Sequence, residues 1–146
     1  MKKVMNSAVI YFIVAMVSGV FYREFTKMAD FSGNTTLGVL HTHLLILGTG
    51  VALLLAFVFK KERPKNFNKL FIAYNISFPL MILTMLLRGI VEVKEITLSP
   101  ALNAFLSGVA GLSHIGMAVC LLLFFVGNQK KISERNRGIL NVTIVN

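Results

Sequence analysis

Polar and apolar residues in this chain separate into four long apolar runs joined by short charged stretches. The runs are Ser7–Tyr22, Leu37–Phe59, Leu70–Leu87 and Leu102–Val126. The second is twenty-three residues without a formal charge, long enough to cross a bilayer as a helix. Backbone polar groups inside hydrocarbon must pair within the segment, which favours helices over open strands. The pattern predicts an all-α integral membrane four-helix bundle, one domain over residues 1–146, with the lipid bilayer as its surroundings. The first run lacks a small-residue cleavage site, so it reads as a true span and not as a signal peptide.

Three features inside the runs refine the packing. Pro79 frees the carbonyl of Asn75 and predicts a kink in the third helix. The rows Ala104/Gly108 and Ser107/Gly111 predict close helix approach along the fourth. Gly48 and Gly50 read either as packing positions or as room for a flat cofactor.

Composition agrees with a membrane protein. The chain has 146 residues, 55% hydrophobic and only 14% charged, where soluble domains carry about 25%. A net charge of +9 would point to nucleic acid in a soluble protein, but here the cations sit at the edges of the runs, so nucleic acid is set aside. Lys2 and Lys3 precede the first run. Lys60, Lys61, Arg63, Lys65 and Lys69 face only Glu62 in the second connection, and Lys130, Lys131, Arg135 and Arg137 face only Glu134 in the tail. The first connection balances Arg23 and Lys27 against Glu24 and Asp30, and the third balances Arg88 and Lys94 against Glu92 and Glu95. The positive-inside rule therefore predicts cytoplasmic termini and an outward-facing first and third connection. Cys120 is the single cysteine, so there is no disulfide framework, and it reads as a small apolar helix residue.

The candidate chemistry lies in the histidines. All three, His41, His43 and His114, fall inside apolar runs. Imidazole in hydrocarbon is costly without a partner, and it is the usual protein ligand of haem iron and of several transition metals. Residues two apart on a helix differ by about 200°, so His41 and His43 face nearly opposite sides and predict two sites instead of one. They lie about 6 and 9 Å along the axis from Leu37, whereas His114 lies about 18 Å from Leu102. Arg23 and Arg88 close the first and third runs on the same side, where a guanidinium can pair with a carboxylate such as a haem propionate. The plain alternatives are interhelical hydrogen bonding for the histidines, interfacial anchoring or pairing with Glu24 and Glu92 for the arginines, and belt or packing roles for Tyr11, Tyr22 and Tyr74. No Ser-His-Asp or Cys-His set is present and no acid lies within an apolar core, which argues against a hydrolase and against a proton-coupled transporter.

The run Val39-Leu40-His41-Thr42-His43-Leu44-Leu45-Ile46-Leu47-Gly48, with Gly19-Val20-Phe21-Tyr22-Arg23-Glu24-Phe25 before it and Leu112-Ser113-His114 after, resembles a small bacterial membrane family labelled domain of unknown function 2871. That resemblance implies a multi-pass protein of a bacterial plasma membrane and supplies no activity. More distantly, H-x-H near the outer end of a second, inward-running helix is similar to the haem-ligand helix of haem-copper oxidase subunit I, whose twelve helices form three arcs of four. The resemblance implies b-type haem held by two histidines, with each histidine of the motif serving a different haem. The paired histidines of a copper site and the tyrosine of an oxygen-reducing centre have no counterpart, so the implied role is electron transfer, or redox or gas sensing. Any enzyme activity would be an oxidoreductase. The expected assembly is a homo-oligomer, a trimer in which His41 of one protomer and His43 of the next share a haem. In the rival arrangement His43 and His114 hold the iron within one protomer. Arg23 and Arg88 are the propionate partners in both, and the redox partner is unspecified. A cofactor-free small channel or transporter-like protein and a membrane copper-binding protein, with Met117 joining His41 or His43, are the alternatives from other classes.

Overall fold

The computed structural model describes residues 1–60, 63, 64 and 66–145, with side chains through residue 127 and at 129. Among these residues all regular structure is helical, without strands. We name the four helices α1 (Lys2–Met28), α2 (Leu37–Val58), α3 (Phe67–Val93) and α4 (Pro100–Val145, apolar over Pro100–Gly127). Each is long and apolar enough to cross a membrane, so the chain is a multi-pass membrane protein. Lys61, Glu62, Lys65 and the side chains of Lys130, Lys131, Glu134, Arg135 and Arg137, on which part of the topology argument rests, lie outside the described residues.

The helices outrun the apolar runs. Arg23 and Arg88 sit within α1 and α3, which end only at Met28 and Val93. A helix keeps its internal hydrogen bonds after it leaves hydrocarbon, so loss of hydrophobicity alone does not end it. The ends are set instead by two matching turns. Asp30 and Glu95 adopt left-handed backbone at φ 49° and 52°. The next amides, Phe31 and Ile96, donate back to the carbonyls of Thr26 and Val91, while Asp30 and Glu95 donate to Lys27 and Glu92. These are Schellman closures with an acidic residue where glycine is usual.

Packing follows chain order. α1 lies on α2, α2 on α3, and α3 on α4. The result is an open arc, held together by a single buried strip. α1 contributes Val4, Ala8, Tyr11, Ala15 and Ser18, at the three-to-four spacing of one helix face. α3 contributes Phe67, Tyr74, Phe78, Met81 and Met85. α4 contributes Met117, Cys120 and Phe124, so the cysteine is a buried helix residue. Within the most apolar stretch of each helix only 28% of residues in the first three and 22% in the fourth are buried, so much of each span faces outward. That outer surface is rich in large apolar residues such as Ile10, Phe57, Phe105 and Leu112, which suits contact with lipid.

The face of α2 is kept straight by a change of winding. Leu40, Leu44, Gly48 and Ala52 are all buried, at steps of four residues. On a regular α-helix three such steps drift by about 120°. Leu44–Gly50 winds as a π-helix, which takes more residues per turn and removes the drift. Carbonyls in this stretch gain side-chain donors: Tyr74 Oη donates to Leu47 O, and Thr49 Oγ1 to Leu44 O at 3.4 Å.

Close approach occurs at other glycines than the small-residue rows predict. A Cβ on Gly89 would lie 2.5 Å from Leu37 Cγ, and one on Gly48 would lie 2.9 Å from both Tyr11 and Phe78. Gly108 and Gly111 meet nothing within 4 Å, because α4 turns another face to α3. Gly48 is therefore a packing position whose space is filled by aromatic rings, not a slot for a flat cofactor.

Candidate functional site

The first turn of α2 is anchored from α3. Glu92 Oε2 accepts from the Thr36 amide at 2.7 Å and from Thr36 Oγ1 at 2.6 Å. Thr35 Oγ1 donates to Gly89 O at 3.2 Å and accepts from the Leu37 amide at 3.3 Å. A carboxylate at a helix N-terminus satisfies amides that have no intrahelical partner and meets the positive end of the helix dipole. With Leu37 seated on Gly89, this clasp fixes the turn that carries the histidines.

His41 and His43 leave that turn in different directions, as the helical angle predicts. His41 points toward α1, where its Cβ and Cγ would lie 3.7 and 3.8 Å from a Cβ on Gly19. Its Nδ1 is buried and has no hydrogen-bond partner. An enclosed imidazole nitrogen without a partner is unusual, since buried polar atoms are nearly always paired. His43 is half-buried and its Nδ1 lies 2.8 Å from the Val39 carbonyl. A carbonyl can only accept, so Nδ1 is the donor in this contact and Nε2 is the ring nitrogen left for another partner. His114, exposed on α4, repeats this arrangement, with Nδ1 2.7 Å from Ala110 O. This is the tautomer in which an imidazole binds a metal through Nε2.

The three rings do not form one cluster. Among the described residues no group of three or more His, Cys, Asp or Glu is placed to hold a metal ion. α2 and α4 lie on either side of α3 without an extensive interface. Registers can be read from the contacts, since Gly48 meets Phe78 and Ser77 meets Gly116. His114 therefore lies near the level of Leu47, about 6 Å deeper than His43, a smaller gap than the roughly 9 Å expected from the sequence.

The arginines differ from each other. Arg23 is largely exposed, 3.8 Å from Glu24, and lies one turn from Gly19 on the same face of α1. Arg88 Nη2 instead donates to Ser107 Oγ at 2.7 Å and Asn103 Oδ1 at 3.3 Å, tying α3 to α4. It shares a cleft of about 240 Å³ with Glu92 and Asn103. Glu92 serves the α2 clasp and is not a direct ion-pair partner of Arg88. Tyr11 and Tyr74 are packing residues: Tyr11 Oη donates to Asn75 Oδ1 at 2.7 Å, and its ring meets Phe78 edge-on. The Glu92–Thr36 clasp and the Tyr11–Asn75 bond are polar contacts that residue pattern alone did not single out.

The family model described as "Protein of unknown function (DUF2871)" matches residues 1–131, and the chain belongs to that family. No curated protein and no solved structure matches the chain.

Proposed function

We propose that this member of the family is a membrane-embedded b-type haem-binding protein with bis-histidine ligation, serving electron transfer or redox or gas sensing. The observation that carries the reading is the unfinished chemistry of one turn of α2: His41 has an enclosed nitrogen without a partner, and His43 commits Nδ1 to the Val39 carbonyl, which leaves Nε2 as its ligating nitrogen. Haem bound there would supply a one-electron couple between ferric and ferrous iron.

Residues of the chain would then have separate tasks. His41 and His43 bind from opposite sides of α2, which suits a head-to-tail ring of three copies in which each α2 serves two sites. The open arc supports such a ring, because it leaves an edge of every protomer unpartnered. The two ligands differ in height by about 3 Å, a stagger that one upright porphyrin can span. Arg23, one helical turn beyond Gly19 on α1, is the propionate candidate left unengaged across helices; Arg88 is already engaged by Ser107 and Asn103. The Glu92–Thr36 clasp holds the ligand turn in register. On this reading the termini face the cytoplasm of a bacterial cell.

Absorbance of histidine variants tests the assignment. His41→Ala and His43→Ala should each abolish the Soret band and the sharp reduced α and β bands, while His114→Ala keeps them. Loss in His114→Ala with retention in His41→Ala would instead place the iron between His43 and His114 of one protomer.

A further inference from the structure

A second concave surface lies at the opposite end of the bundle, between the start of α1 and the start of α3. It encloses about 470 Å³, within the range of small-ligand pockets. Lys2 and Lys3 line it from α1 and Arg63 from the connection before α3, and among the described residues no carboxylate lines it. The guanidinium of Arg63 lies over the Phe67 ring, 5.4 Å from its centroid. Below these cations the wall is apolar, with Val4, Phe67 and Phe71. We propose that this cleft binds the phosphate headgroup of an anionic phospholipid.

Basic residues that only set membrane topology need no mutual arrangement. Here cations some sixty residues apart in sequence line one cavity, and one of them is pinned on an aromatic face. Like charges converge stably when an anion lies between them, and basic pockets between membrane helices hold anionic headgroups in this way. The apolar wall decides between a lipid and a soluble anion. It continues into the outward face of α3 at Ile72, along which an acyl chain can lie. The site is independent of the haem reading, since it shares no residue with the histidine turn.

Native mass spectrometry of the full chain in detergent tests this, with phosphatidylglycerol and phosphatidylcholine offered together. The chain should retain phosphatidylglycerol at least about tenfold over phosphatidylcholine. Arg63→Gln should cut that preference about fivefold, and Lys2→Gln with Lys3→Gln and Arg63→Gln should remove it. Lys94→Gln, a cation over the Phe25 ring at the other end, should leave it unchanged. Equal retention of both lipids by the unaltered chain would overturn the proposal even if the triple variant fails to insert. So would an undiminished preference in Arg63→Gln and the triple variant. Displacement of the lipid by millimolar inorganic phosphate would assign the site to a soluble anion and overturn it as well.

Discussion

At the scale of single residues, two glycines and one carboxylate hold the geometry near the histidines. Gly89 and Gly48 have no room for a methyl group, because Leu37 and the Tyr11 and Phe78 rings occupy the space. Gly89→Ala and Gly48→Ala should each destabilise the fold by about 1–3 kcal/mol through overpacking. Gly108→Ala, at an open position, should be close to neutral in the isolated protomer. Reversible unfolding in mixed micelles measures all three. Glu92→Gln should weaken the clasp on Thr36 by about 1–3 kcal/mol, because it replaces charge-assisted hydrogen bonds with neutral ones. In the haem-binding reading the same change broadens the Soret band before it lowers global stability. An unchanged melting curve for Glu92→Gln would show that the clasp contributes nothing.

At the scale of elements, the positions of the spans were legible and their ends were not. Runs without charge placed all four helices, because burying backbone in lipid leaves few other solutions. Arg23 and Arg88 looked like terminators but lie inside helices that close at Asp30 and Glu95. A left-handed acidic residue carries no sequence signal as clear as a glycine does. Glu95→Gly should relieve the strained backbone and stabilise the protein by about 0.5–1 kcal/mol, read from the same unfolding curves. The divergence of His41 and His43 was legible because it follows from helical periodicity, and both residues precede the π-wound stretch. The π stretch was not legible, because Leu40, Leu44, Gly48 and Ala52 lie in a run that is apolar on every face and only burial picks them out. The small-residue rows of α4 misled, since spacing identifies a smooth face without saying which neighbour covers it. Tyr74→Phe should remove a donor to Leu47 O and cost about 1 kcal/mol, a loss confined to the π-wound half of α2.

At the scale of the whole molecule, the chain is an arc of four helices with its strongest candidate chemistry at one end and a basic cleft at the other. Each helix packs on the next in sequence, and among the described residues no extensive interface joins α1 to α4. If His41 and His43 serve neighbouring protomers, the detergent-solubilised complex should have the protein mass of three chains. A haem-bearing monomer would contradict that arrangement and favour His43 with His114. The most direct measurement of the central claim is the absorbance spectrum of the purified protein from haem-replete cells. The account predicts a red protein with a Soret band and, after reduction, the sharp α and β bands of six-coordinate b-type haem. A colourless preparation, folded and membrane-extracted in full, would contradict it.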